Sequence, residues 1–204
     1  MIFSNQERQA PTKVSEAEPS HLARYNFCLQ FIKNTDRVLD LPGGSGYGSN
    51  LIATRAKNTV GIDICPEAIL HAKEFFQKKN TEFLVADMEN LKTCFPQDSK
   101  FDVIVSFEGI EHIKNQKFFL NEVRRLLKKD GYFIISTPRK PHGSPYHTTE
   151  FSLEDFKKIL SEDFIVEKMF GQIYTDIFDM QKRLEDPHAY HRFNFIALCK
   201  HRPE

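Results

Sequence analysis

Val38-Leu39-Asp40-Leu41-Pro42-Gly43-Gly44-Ser45-Gly46-Tyr47-Gly48-Ser49 begins as a short apolar run, ends that run near a carboxylate, and passes at once into four glycines within six positions. Glycine adopts positive φ angles and lets a backbone approach a ligand closely, so the stretch reads as a strand turning tightly into a binding loop. Beyond it the pattern alternates. A helix over 50–57 leads to a strand over 59–62, and a helical pattern over 66–79 opens on Pro66, whose missing N–H costs nothing in a first turn. A strand over 82–86 comes next, then Phe101-Asp-Val-Ile-Val-Ser-Phe107, whose apolar run implies burial on both faces. A helix over 116–129 follows, with Lys128 and Lys129 complementing its carboxyl end before Gly131 closes it, and 132–136 is a fifth strand.

The flanks carry less signal. Residues 1–20 are polar and hold Pro11 and Pro19, so they read as an extended arm, after which Ser20 caps a helix with Leu22, Tyr25, Leu29 and Ile32 on one face, ending near Asn34. Past the fifth strand, a loop rich in Pro and His (137–151) precedes a helix capped by Ser152 with Asp155 at its third position. Strands over 164–170 and 193–199 flank a long segment rich in His and Tyr. Alternating β and α elements with strands buried on both faces predict an α/β fold, a Rossmann-like doubly wound sheet of about seven strands, mostly parallel with an antiparallel carboxyl-terminal strand. The reading is one domain over 1–204: an arm and capping helix (1–34), a donor-binding core (35–170), and an acceptor-side insertion with the last strand (171–204).

Composition narrows the function classes. Length alone allows about 1.4 domains at roughly 150 residues each. Lys plus Arg equals Asp plus Glu at 28 each, so no basic excess draws the chain to phosphate backbones, and nucleic acid is disfavoured as a partner. Cys28, Cys65, Cys94 and Cys199 stand far apart without a CxxC pair, which reads as reduced thiols. No apolar window is long enough for a membrane span and the start lacks a basic-then-apolar leader, so a cytoplasmic location without membrane contact is expected.

Ligands of such sheets sit beyond the carboxyl ends of the strands. Three carboxylates fall there: Asp40, Asp63 and Asp87. Asp63 stands 17 residues beyond Gly46 at the next strand's tip, placed to accept hydrogen bonds from two ribose hydroxyls. A pyrophosphate would be repelled by Asp40 at the loop's start, whereas a cationic ligand would be attracted. An ammonium, a ribose and an adenine amine suit the three aspartates, and the sulfonium donor S-adenosyl-L-methionine carries all three.

Here the chain resembles the class I S-adenosylmethionine-dependent methyltransferases from about Val38 to Phe170. VLDLPGGSGYGS and VGIDICPEAI are similar to their first two motifs, FLVADMENL to the adenine-side motif, and FDVIVSFEGIEHI and NEVRRLLKKDGYFIISTP to the fourth-strand and following segments. The resemblance implies that Asp40 with the Gly44 and Gly46 backbone holds the methionine part of the donor, Asp63 its ribose, and Asp87 with the Met88 backbone its adenine. It also brings Pro42, Gly43, Ile64, Phe107 and Glu108 to the donor pocket, with S-adenosyl-L-homocysteine as product. The family usually has glycine at position 42 and often cysteine at 43, so one loop N–H is missing here; the loop is expected to tolerate this. ERQAP (Glu7–Pro11) and HLARY (His21–Tyr25) are similar to the leading segment of a subgroup acting on bacterial polysaccharides and small molecules. In that reading Arg24 or Tyr25 closes over the donor; the alternative is that Tyr25 packs its helix on the sheet.

A small molecule or sugar is the expected acceptor, methylated on oxygen by direct displacement. Oxygen acceptors need a base, and His112 is the first choice, with Glu111 and His147 completing the catalytic set and His142 nearby. The expectation is that no metal is used; were one present, Glu108, Glu111, His112 and His147 would hold it. That set resembles the metal set of small-RNA 3′-terminal 2′-O-methyltransferases, which makes metal-dependent RNA 2′-O-methylation the alternative. Two further classes compete: an NAD(P)-dependent oxidoreductase, against which Asp40 argues, and a noncatalytic protein that has kept the fold. His188, Tyr190 and His191 with Phe178 lie where this fold commonly covers the acceptor, and Asp179, Glu185 and Asp186 are candidate acceptor contacts. Phe75-Phe76 and Phe118-Phe119 cannot all face a core at helical spacing, which raises an exposed apolar patch or interface; self-association is left open.

Overall fold

In the computed structural model, which describes residues 8–182 and 193–202, the apolar run before the glycines is strand β1 (Arg37–Asp40). Strands β2 (Asn58–Asp63), β3 (Thr81–Val85), β4 (Phe101–Phe107) and β5 (Leu127–Pro138) follow, with helices α2 (Tyr47–Ile52), α3 (Pro66–Phe75) and α4 (Gln116–Leu126) between them. Helix α1 (Pro19–Cys28) precedes β1; α5 (Leu153–Asp163), β6 (Phe164–Ile173), β7 (Asp176–Asp179) and β8 (Phe193–His201) complete the order. The sheet runs β3-β2-β1-β4-β5-β8-β6-β7. The first five strands pair in parallel, while β8 runs antiparallel to both β5 and β6. The expected doubly wound sheet is therefore present with eight strands rather than about seven, because β6 continues into a hairpin with β7.

Alternate residues of the central strands feed two cores, as the period of two requires. Leu39 and Ile104 pack with Phe119, Leu120, Val123 and Leu126 of α4 and with Phe156 and Leu160 of α5. Val38, Val103 and Val105 pack on the opposite face with Tyr25 and Cys28 of α1, Ile52 of α2, and Ile69 and Ala72 of α3. Of the two phenylalanine pairs, Phe76 and Phe119 enter these cores. Phe75 stays exposed beside the His71 ring, and Lys92 covers Phe118.

Several boundaries differ from the sequence reading. Glu18, not Ser20, caps α1: its carboxylate accepts from the His21 N–H at 3.1 Å, and Pro19 takes the first turn. Helix α2 starts at Tyr47 because Gly46, at φ 93°, turns the chain into it. Helix α4 stops at Leu126, since Leu127 pairs with Phe101 and Lys128 reaches the Asp102 carboxylate at 2.6 Å instead of sitting on a helix end. The described part of the amino-terminal arm is packed rather than merely extended: Pro11 is buried, and its carbonyl accepts from His71 Nε2 at 2.7 Å. The cap at Ser152 is as expected, its Oγ accepting from the Asp155 N–H at 3.1 Å.

The glycine loop gives a paired test of backbone against packing. A Cβ on Gly46 would lie 2.5 Å from the Ala72 Cβ, whereas a Cβ on Gly44, at φ 53°, would meet nothing within 4 Å. Gly44→Ala is expected to cost about 1–2 kcal/mol, the left-handed strain alone. Gly46→Ala adds overpacking of about 1–3 kcal/mol, so its urea midpoint should fall clearly below that of Gly44→Ala.

Candidate functional site

The carboxyl ends of β1, β2, β4 and β5 open into one cavity of about 690 Å³. Pro42, Gly43, Gly44 and Ser45 form its floor, Asp63, Ile64, Asp87 and Met88 one side, and Phe107, Glu108, Glu111, His112 and His147 the other. The loop forms without an N–H at Pro42. Gly43 N–H donates to the Ile62 carbonyl at 2.6 Å and Gly46 N–H to the Gly43 carbonyl at 3.1 Å, so the turn is closed by its other amides.

Asp63, almost fully buried, is oriented by backbone: Gly44 N–H donates to Oδ2 at 3.1 Å and Cys65 N–H to Oδ1 at 2.9 Å. Ile64 stands 57% exposed beside it. Asp87 is exposed and caps the turn over Met88–Thr93, accepting from the Glu89 N–H at 2.8 Å.

Asp40 and Gly46 lie behind the lining rather than on it. The Asp40 carboxylate accepts from Ser49 Oγ at 2.6 Å and from the Tyr25 hydroxyl at 3.2 Å. Burial pushes its pKa up to about 7 against those two hydrogen bonds. Tyr25 packs its ring edge-on against Phe107 and Tyr47, and it lines the cavity above Asp40. Arg24, 1% exposed, donates to Gln172 Oε1 at 2.7 Å and stands 4.0 Å from the Glu108 carboxylate, while its buried Nε–H has no partner among the described residues.

Across the cavity, Glu108 holds a left-handed backbone at φ 52°, a conformation costing a non-glycine residue about 1–2 kcal/mol. Ser136 Oγ donates to its Oε1 at 2.9 Å and Asn194 Nδ2 to its Oε2 at 3.3 Å. Glu111 is buried behind it. Thr137 Oγ1 donates to Oε2 at 3.2 Å, Oε1 has no partner among the described residues, and burial followed by repulsion from Glu108 drives the Glu111 pKa well up. His112 Nδ1 lies 3.1 Å from the Tyr146 carbonyl, which only accepts, so Nδ1 is a donor nitrogen. The His112 and His147 rings stand 5.1 Å apart, and His147 stacks on His142 at 4.8 Å. Ligand atoms of Glu111, His112 and His147 all lie within 4.8 Å of one another, as do those of His142, His147 and Glu150.

Among the lining residues that the sequence reading did not assign to the site are Arg8, Gln9, His21 and Tyr47. His21 had a signal, standing one turn before Arg24 on the same helix; its Nδ1 lies 3.1 Å from the Tyr47 hydroxyl, and burial, then the Arg24 charge, lowers its pKa. Phe178 and Asp179 are on β7, outside the cavity lining, with Asp179 paired to Lys168 at 2.9 Å. Glu185, Asp186, His188, Tyr190 and His191 lie outside the described residues.

Comparison with known proteins points the same way. A methyltransferase-domain family matches residues 32–193. A probable S-adenosylmethionine-dependent methyltransferase of Mycolicibacterium smegmatis is 30% identical over 143 residues, 66% of this chain and 54% of that protein. The ubiquinone biosynthesis O-methyltransferase of Pelagibacter ubique is 37% identical over 107 residues, 51% and 42% of the two chains. The chain spans about half the length of the curated relatives it matches. Among solved structures, the N-methyltransferase NodS of Bradyrhizobium japonicum, in complex with S-adenosyl-L-homocysteine, superposes with a TM-score of 0.70 at 15% identity, covering 92% of this chain and 90% of that one, a likeness of fold. Among the described residues no helix is long and apolar enough to cross a membrane.

The raised Asp40 pKa has a sign that can be checked. A carboxyl raised on folding binds its proton more tightly in the native state, so its contribution to stability is complete below the ordinary value of 3.8 and is lost as pH rises to about 7. Without ligand, stability should fall by up to about 1.4 kcal/mol per pH unit across that window from this group. Asp40→Asn should remove that slope, so urea unfolding at pH 5 and pH 7.5 should show the variant gaining on wild type at the higher pH.

Proposed function

The chain belongs to the class I S-adenosylmethionine-dependent methyltransferases, and from that membership we propose that it transfers a methyl group from S-adenosyl-L-methionine to an oxygen of a small-molecule or sugar acceptor. The observation carrying this reading is that one cavity is lined on one side by Asp63 and Met88 and on the other by Glu111, His112 and His147. Donor and acceptor chemistry thus face the same space. The similarity to the Pelagibacter ubique O-methyltransferase supports oxygen as the acceptor atom. Cys28, Cys65, Cys94 and Cys199 are all unpaired, which supports a reducing, cytoplasmic setting.

The residues fit the donor. Asp63 offers a fixed carboxylate to a ribose, Asp87 and Met88 an adenine edge, and the Asp40 carboxylate with Tyr25 and the Gly44 backbone the cationic end. The partnerless Arg24 Nε–H is a donor for an anionic group such as an amino-acid carboxylate. When bound, this donor supplies an electrophilic methyl carbon on a sulfonium. The chain's work is then orientation and proton removal. Pinning donor and acceptor in one cavity converts a bimolecular encounter into a positioned one, the largest gain available to such a displacement. His112 Nε2 takes the acceptor hydroxyl proton, with Nδ1 donating to the Tyr146 carbonyl. Glu111, its pKa driven up by burial and then by Glu108, stands in the wall beside Glu108, and the His147 ring packs edge-on against His112.

One observation favours a second reading. Glu111 Oε1 is buried without a hydrogen-bond partner among the described residues, and it belongs to a cluster that fits a divalent cation with His112 and His147. A bound cation would make this a metal-assisted 2′-O-methyltransferase site for RNA, with Glu108 beside it. Calorimetric titration with manganese decides: saturable binding lost in His147→Ala supports the metal, and no heat above dilution removes it.

The main reading is tested by calorimetry with S-adenosyl-L-homocysteine and NAD. Binding of the former alone, weakened at least about tenfold in Asp63→Ala through loss of charge-assisted hydrogen bonds, is the expected result. Binding of NAD alone, or of neither nucleotide, overturns it.

A further inference from the structure

We propose that Arg8 is the resident counter-ion of Asp63, the carboxylate read as holding the donor's ribose, and that donor binding proceeds by exchange, with the ribose hydroxyls displacing Arg8 from Asp63. The inference rests on the donor reading above. Arg8 Nη2 lies 3.0 Å from Asp63 Oδ1, Arg8 being 21% exposed and Asp63 1%. This is no chance reach of a loose tail. Gln9 Oε1 accepts from the Glu18 N–H at 2.7 Å, Ala10 packs on Cys65 and Ala68, and the Pro11 carbonyl accepts from His71 Nε2 at 2.7 Å. Three consecutive residues thus hold the arm against the start of α1 and against α3, and Arg8, just before them, lines the cavity.

Acceptor capacity makes the exchange necessary. A carboxylate has about four lone-pair directions. Cys65 N–H and Arg8 share Oδ1, and Gly44 N–H takes one direction on Oδ2, so the described residues leave a single direction. A vicinal diol donates two hydrogen bonds and needs two. The two backbone amides belong to the glycine loop and the start of α3 and cannot leave without unmaking the site. Arg8 is the partner able to leave, since its side chain is partly exposed and the anchors at Gln9, Ala10 and Pro11 survive its departure. The exchange has three consequences. Removing the guanidinium raises donor affinity, salt that screens the pair raises affinity in wild type alone, and a bound donor exposes Arg8.

Two measurements test this. The first is calorimetry of S-adenosyl-L-homocysteine against wild type and Arg8→Gln at low and high salt. Arg8→Gln should bind about three- to tenfold more tightly at low salt, the difference shrinking at high salt, as befits a partly exposed ion pair. The second is trypsin cleavage after Arg8 followed by intact mass. Saturating S-adenosyl-L-homocysteine in wild type should speed it several-fold, and so should Asp63→Asn without any ligand. Arg8→Gln binding equally or less tightly, or slower cleavage with ligand present, overturns the exchange and makes Arg8 a wall of the site. Binding by neither protein overturns the donor reading and the exchange with it. Unchanged cleavage in Asp63→Asn shows that the pair does not hold Arg8 and overturns the exchange even where the donor binds.

Discussion

A single buried carboxylate ties the site to the fold. Asp40 ends β1, has no solvent contact, and is held by Ser49 from α2 and Tyr25 from α1, so three elements meet on one charge. The arrangement leaves little freedom around it: Gly48 lies so close under the Tyr25 ring that a side chain there would drive into it. A carboxylate buried with only two donors is poorly compensated, and its pKa of about 7 expresses that shortfall. The shortfall is also a stored attraction. A cationic ligand group in the cavity above supplies what the protein lacks, and burial makes that attraction stronger than it would be at a surface.

The two sides of the cavity are built differently. On the side of Gly44 and Asp63, backbone amides of a tight loop do the orienting, so the geometry follows from chain path and glycine content. On the other side, side chains orient side chains: Ser136 and Asn194 hold Glu108, Thr137 holds Glu111, and the Tyr146 carbonyl holds His112. The loop carrying Tyr146 and His147 is itself stitched down, with the Thr148 and Thr149 N–H groups donating to the Glu111 carbonyl at 2.8 and 3.2 Å. A wall of this kind changes with each of its side chains, while the loop opposite does not.

What was legible in the sequence follows that division. Strand β4 was readable to its last residue because burial on both faces leaves an unbroken apolar run, and α5 because Ser152 and Asp155 announce its start. The tips of β2 and β4 located Asp63, Glu108 and His112. Local signals misled where a long-range partner decided the matter. Lys128 looks like a helix-ending cation until Asp102, 26 residues away in sequence, claims it. The arm looked unpacked because its polar residues meet partners 55 and 60 residues on, in Asp63 and His71. The α2 start was hidden because four glycines argue against helix, whereas the turn at Gly46 depends on one of them.

Arg24 and Gln172 close the molecule on itself. Besides accepting from the Arg24 guanidinium, Gln172 donates from Nε2 to the Ser20 and Tyr174 carbonyls at 2.7 and 2.6 Å, so one amide grips α1 and the end of β6 together. The elements it joins lie 148 residues apart along the chain, yet among the described residues the buried Arg24 Nη1 and the Gln172 amide are satisfied only through each other and Ser20 and Tyr174. For descent, this makes the two outer segments a single inherited unit. A chimera whose sixth strand lacked this amide would take from the buried Arg24 guanidinium its 2.7 Å acceptor, so the first helix and the sixth strand are best exchanged together.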